Sequence, residues 1–170
     1  MKKQLYLDIK NRLKSITDGQ NEQLFQHFDL WNQQVEFIEQ ETPFATPAVF
    51  VEFLPHDWKT LGNRVQSAEL FVRLHIVTQW FNDTADYTPD CFEQKALEYL
   101  DIVDKVVAAM QNFSAYNTNS WMRTKTIPNH NHERFVDNIE EYKCNMIDDS
   151  AVKTGFTTVT AAPSVVIAED

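Results

Sequence analysis

Glycine is scarce in this chain, 3 residues in 170. Gly19, Gly62 and Gly155 lie too far apart to spell either GxGxxG or a Walker-type GxxxxGK loop. That excludes the nucleotide-binding superfolds whose phosphate cradles depend on such loops. Cysteine is scarcer still: Cys91 and Cys144 make neither a disulfide framework nor a zinc site. Each reads as a small, semi-apolar residue of a reducing cytoplasm. No run of 18 apolar residues occurs, so no membrane-spanning helix is expected. The N-terminus opens with two lysines, as signal peptides do. Its apolar stretch breaks at Asp8 and Lys10, and no small-residue cleavage site follows, so the expectation is a protein made and used in solution. Positive charge is short as well, with 15 Lys and Arg against 25 Asp and Glu and a net charge of −10. A protein that coats nucleic acid must neutralise many phosphates, and this one lacks the means.

The charge is unevenly spread. Residues 1–16 carry Lys2, Lys3, Lys10, Arg12 and Lys14 against Asp8 alone, a net +4, leaving −14 on the other 154 residues. Such an acidic body repels DNA and favours solubility. Its sign would also suit the wall of a pore that DNA passes without sticking. Hydrophobic residues at 43% and charged ones at 24% are globular proportions. A chain of this length buries roughly 70% of its unfolded surface, enough for a core without staples.

Leu5, Ile9, Leu13 and Ile16 recur at helical spacing with the lysines turned away, predicting an amphipathic helix over Lys3–Ile16 that ends at Thr17-Asp18-Gly19. Gln23–Glu41 is ambiguous: Leu24–Trp31 has strand-like aromatic content, whereas Asn32–Gln40 fits a strand or a short helix. Ala48–Leu54 is a β-branched and aromatic run fenced by Pro47 and Pro55, and so a strand. After the polar loop HDWKTLGN, Arg64–Trp80 alternates apolar and polar residues over 17 positions. A strand that long must project beyond its domain or pair with more than one partner. Thr88-Pro89 caps a helix over Asp90–Phe113 whose stripe runs from Phe92 through Val103 and Val106 to Met110. Ser120–Ile127 and Arg134–Met146 read as a hairpin around PNHNHE, and Ile147–Asp170 changes to Thr, Ala, Val and Ser without helical spacing. The expected fold is α+β, a mostly antiparallel sheet with helices packed on one face. One domain spans 1–150, with an extended C-terminal arm at 151–170.

Candidate chemistry is thin. His130, His132 and Glu133 would point two imidazoles and a carboxylate toward one metal, but no acidic cluster supports hydrolysis, and polar residues after Pro128 are ordinary hairpin-loop material. A metal-dependent hydrolase built on them is the weakest reading. His75, beside Arg73 and Glu69, reads as a half-exposed strand histidine, and His27 and His56 have no partner visible in sequence. The pairs Glu140-Glu141 and Asp148-Asp149 alternate across a strand, so neither makes an acid–base dyad, and both read as solvated surface. Phe25, Phe28, Trp31, Trp58, Trp80 and Trp121 lack the interleaved lysine and arginine of a base-stacking platform and read as core or subunit-interface packing. No catalytic, cofactor-binding or metal-ligating residue is assigned, and no cofactor is expected. The expectation is a protein that is not an enzyme.

The order of these segments carries a resemblance. A helix LYLDIKNRLKSI, a proline-preceded strand PAVFVEFLP, the long strand RVQSAELFVRLHIVTQW, a helix DIVDKVVAAMQNF and a closing strand pair ending EEYKCNM follow one another. Over residues 3–150 this is similar to the tail-terminator (tail-completion, head–tail joining) proteins of long-tailed bacteriophages and prophages. The resemblance rests on element order and strand patterns rather than on an invariant motif. It implies a structural virion protein assembled in the bacterial host cytoplasm, a homo-oligomeric and usually hexameric ring. Such a ring caps the tail tube, contacts tail-tube and neck or head-completion proteins, and lets DNA through without specific binding. Residues 20–45 and the arm depart from the pattern. The expected contact elements are an edge around Glu69–Gln79, the loop His56–Asn63 and the arm. The alternative is a small non-enzymatic binding or adaptor module, monomeric or dimeric, with a pocket between the long helix and the sheet.

Overall fold

In a computed structural model, residues 1–35, 44–79, 90–129 and 135–152 are described. The elements run α1 (Lys2–Lys14), β1 (His27–Leu30), β2 (Ala48–Phe53), β3 (Trp58–Gly62), β4 (Val65–Gln79), α2 (Asp90–Met110), β5 (Met122–Asn129) and β6 (Phe135–Asp148). The strands form one sheet in the order β1-β2-β4-β6-β5, with β3 also paired to β4. Every pairing is antiparallel except β1 with β2. The class is α+β, as the sequence predicts.

The spine of the sheet is the β4–β6 ladder, which runs in unbroken register from Gln66↔Asp148 to Gln79↔Phe135. At ~3.4 Å per residue it is about 45 Å long. On its other side β4 is shared: Val72–Val77 pair with β2, and Val65 to Ala68 pair with β3. The length that looks excessive for one partner is thus divided between two. β4 is therefore a central strand, which corrects the expectation that Glu69–Gln79 is an exposed contact edge. The expected loop His56–Asn63 is corrected too, since most of it is β3. The β3–β4 turn carries Asn63 and Arg64 at φ 51° and 66°, after Gly62 at φ 95°. Two successive positive φ values match the right-handed twist of the flanking strands, as in the mirror-image two-residue hairpin turns.

Both helices lie on one face. Leu5, Ile9 and Leu13 of α1 and Val103, Val106 and Met110 of α2 share a core with Val49, Val51, Leu70, Val72, Leu74, Ile76, Tyr142, Cys144 and Met146. Alternation along β4 dictates this, because its even-numbered residues all point to the helices. Asp18 closes α1 by accepting the backbone N–H groups of Gln20 and Glu22 at 2.8 and 2.9 Å, which hold its carboxyl below the usual carboxylate range. After α2, Asn112 in the left-handed region (φ 59°) turns the chain so that Trp121 swings beneath the helix end. Backbone bonds between Trp121 and Phe113 and between Asn112 and Trp121 fix it there, and the indole N–H donates to Thr118 Oγ1 at 3.1 Å. Most of the expected arm, residues 153–170, lies outside the described residues.

Candidate functional site

The odd-numbered residues of β4 face away from the helices, and this second face is where the sheet concentrates charge. Arg73 is directly flanked by a carboxylate on each neighbouring strand, Glu52 of β2 and Glu141 of β6. Its Nε donates to Glu141 Oε2 at 3.0 Å and its Nη1 lies 3.6 Å from Glu52 Oε2. Two residues along, His75 reaches diagonally. Its Nε2 lies 3.3 Å from Glu52 Oε2 and its Nδ1 3.1 Å from Asp137 Oδ2. The result is an alternating chain Asp137–His75–Glu52–Arg73–Glu141 laced across three strands. Thr124 Oγ1 donates to Glu141 Oε1, and Lys143 pairs with Glu69 farther along the same face.

Trp31, just past β1, roofs the inner end of this chain. Its ring lies flat on His75 at 3.6 Å between centroids and 5° between planes. Val35, Ala48, Phe50 and Val77 form a small apolar patch beside it, with Phe44 and Phe135 against them. His75 is consequently only 4% exposed and Asp137 1%, which corrects the expectation of a half-exposed histidine neighbouring Glu69.

The chemistry this permits is limited. Both imidazole nitrogens face carboxylate oxygens, so neither is open to take a proton from a substrate. An imidazolium donates to both carboxylates, whereas a neutral ring satisfies one. Arg73 and a charged His75 would balance two of the three carboxylates. Asp137 Oδ1 is buried with no hydrogen-bond partner among the described residues. The network fits a clamp that ties β2, β4 and β6 together more than it fits a reaction centre.

A second buried polar group lies on the helix face. Glu140 is fully buried and takes hydrogen bonds from Thr126 Oγ1 at 2.8 Å and Arg123 Nη1 at 3.5 Å on β5. Burial pushes its carboxyl above the usual range, with Thr126 and Arg123 pulling the other way and Asp104 adding to the rise. Glu140 Oε1 and the Tyr142 hydroxyl are buried without partners among the described residues, and burial likewise raises the Tyr142 phenol. The alternation that puts Glu140 and Glu141 on opposite faces is as expected. Their reading as solvated surface is corrected, because both are shielded by the neighbouring strands. Between α2 and the end of β2 and β4 a cavity of about 280 Å³ is lined by Thr46, Pro47, Thr78, Glu98, Tyr99 and Ile102. Thr78 Oγ1 there is buried without a partner among the described residues.

Other singled-out residues fall as follows. Phe25 and Trp121 are core, and Phe28 and Trp58 pack partly buried against it. His27 stacks on Phe44, and His56 Nδ1 lies 2.9 Å from the Leu54 carbonyl oxygen, with its ring edge-on to Trp58. Asp148 and Asp149 are at the surface, where Asp148 accepts the Ser150 N–H and Asp149 the side-chain amide of Asn117. Cys144 is buried, and burial pushes its thiol up to about 12. Trp80, His130, His132 and Glu133 lie outside the described residues, as does the Cys91 side chain. Among the described residues no group of three His, Cys, Asp or Glu side chains is placed to hold a metal ion, and no helix is long and apolar enough to cross a membrane. Compared with protein-family models and with curated proteins, the chain finds no match.

Proposed function

We propose that this chain is a structural virion protein of a long-tailed phage or prophage. It acts as a tail-terminator or neck-ring subunit that caps the tail tube and joins it to the head. The observation that carries the reading is the order of elements. This chain has a leading helix, a proline-preceded strand, a strand of 15 residues, a 21-residue helix and a closing antiparallel pair, the elements on whose order its resemblance to the tail-terminator family rests. Two further features support it. The charge network and the β4–β6 ladder, about 45 Å long, tie β2, β4 and β6 together, which suits a component loaded by its neighbours rather than one that opens around a substrate. The strands at the margins are the exposed ones: β3 presents Leu61 at 60% exposure, and β5 presents Met122 beside Arg123 and Lys125. The acidic surplus would keep passing DNA from sticking to the lumen of such a ring.

The cavity under α2 favours a second reading, a binding or adaptor module that takes a small ligand against Thr78. Native mass spectrometry across a concentration series, alone and with purified tail tubes of the same element, separates the two. A closed ring, alone or only on tubes, is the result expected of a terminator. A persistent monomer that ignores tubes rejects the ring and leaves the cavity as the place to look.

A further inference from the structure

The two helices lie side by side over the sheet, and their outer flanks face opposite ends of it. On α1, Arg12 and Asp8 turn toward α2 and the segment that follows it: Arg12 Nε donates to the Ala109 carbonyl at 2.8 Å, and Asp8 accepts the Tyr116 N–H just past α2 at 2.9 Å. The opposite flank carries Lys3, Lys10 and Lys14, within about 40° of one another at 100° per residue. Lys10 lies over the Tyr6 ring, and Lys14 lies over Phe28 of β1, at the end of the sheet. On α2, Lys105 reaches back to the Thr17 carbonyl behind α1. The flank turned away holds Glu93, Leu97, Leu100 and Asp104, within about 60° of one another. Asp104 acts electrostatically on Glu140 of β6, and Gln111 accepts the Arg123 N–H of β5, so this flank borders the other end of the sheet. Leu97 and Leu100 are 41% and 45% exposed, large apolar side chains of α2 left to solvent.

One end of the molecule is thus a lysine-bearing helix flank, and the other an acidic flank around two uncovered leucines. The strands beneath carry the reverse signs, with exposed Asp29 on β1 and exposed Arg123 and Lys125 on β5. A two-fold pairing of either end with itself sets lysine against lysine or carboxylate against carboxylate. Joining unlike ends matches charge in both layers and covers Leu97 and Leu100 with the stem of the partner's α1. Complementarity of that kind belongs to a head-to-tail contact, which forms a ring when the rotation between successive copies closes.

We propose that the interface between copies of this chain is this contact: the Lys3, Lys10 and Lys14 flank of one subunit docks on the Glu93, Leu97, Leu100 and Asp104 flank of the next. The inference rests on the ring reading above and specifies its contact surface. The test uses two full-length variants, Lys10→Glu with Lys14→Glu, and Glu93→Lys with Asp104→Lys, followed by native mass spectrometry alone and on tail tubes. Each variant alone is expected to assemble at least about tenfold more weakly than wild type. In the first both flanks are acidic and in the second both are basic, so an equimolar mixture is expected to recover rings of alternating composition, readable from mass. Circular dichroism and melting temperature establish that each variant is folded. Should one fail to fold, Leu97→Ser with Leu100→Ser probes the same flank and is expected to weaken assembly as well. Wild-type rings with variants that assemble equally well overturn the interface and leave the ring standing. Loss in both variants without recovery on mixing overturns it too. A wild type that never assembles, with or without tubes, removes both ring and interface.

Discussion

The two faces of the sheet solve the same problem by different means. The helix-covered face is held by shape: Leu70, Val72, Leu74 and Ile76 of β4 press into α1 and α2, each such side chain contributing ~2 kcal/mol by leaving water. The opposite face has only a small apolar patch around Phe50 and Val77, and its centre is held by charges that must match across three strands. Adjacent residues make the contrast concrete, since Leu74 and His75 are both buried in one strand and face opposite ways. The apolar face tolerates small shifts and stabilises strongly. The charged face is expected to stabilise less, because desolvation offsets most of the attraction, and its charges match only in this register, with Glu52 and Glu141 both opposite Arg73. A carboxylate one position out of register would face an apolar residue rather than Arg73.

Four measurements break or sharpen that contrast. The largest loss is expected on the apolar face: Leu74→Ala should cost about 2–5 kcal/mol in urea unfolding, with little dependence on salt. His75→Leu should cost less, about 1–3 kcal/mol, because it leaves the buried Asp137 carboxylate without its partner. It should also alter Trp31 fluorescence, since the stacked ring is gone. An equal or greater loss than for Leu74→Ala would put the main support of the sheet on the wrong face. Glu140 supplies the pH test. Its folded-state carboxyl is raised, so the folded state holds that proton more tightly than the unfolded chain does. Stability therefore falls as pH rises from the ordinary glutamate range through the raised value. Glu140→Gln should match wild type in acid and melt higher at neutral pH, by about 2–4 °C for each ~1 kcal/mol recovered. A variant that tracks wild type across the range removes the claim that burial governs this group. The smallest effect concerns Cys144, whose thiol is buried and pushed up to about 12. Peptide mapping after iodoacetamide treatment should find it unlabelled in the native protein and labelled in urea.

Most of the frame is legible in sequence, because one face of each long element repeats. α2 and β2 begin where periodicity and proline fencing place them, and β4 and β6 start within a residue of expectation. β3 is missed because it is almost wholly exposed and shows no alternation, and because its turn uses Asn63-Arg64 rather than an Asn-Gly signal. β1 falls within Leu24–Trp31, whose aromatic content reads as strand-like, but four residues joining in parallel leave too short a pattern to fix its bounds or its partner. The charged network is hidden for a different reason. Glu52 and Asp137 lie 23 and 62 residues from His75, and only the register of β4 against both neighbours brings them together. One signal was present: Arg73 and His75 alternate within a strand too apolar to be an edge, and charges in a central strand need opposite charges beside them. Burial of Glu140 has no comparable sign, since it depends on how β5 and α2 close over it.

The β4–β6 register also governs how the chain finds its structure in time. Its partners are separated by 56 residues at Gln79↔Phe135 and by 82 at Gln66↔Asp148, with α2 lying between the two strands. Contacts so distant along the chain make for high contact order and slow folding, of milliseconds to seconds. Until β6 emerges from the ribosome, β4 waits with one long flank unpaired, a template for misassociation. Pairing it early with β3 through a tight turn, and covering its apolar side with α1, would shorten the time during which the longest strand lacks its partner.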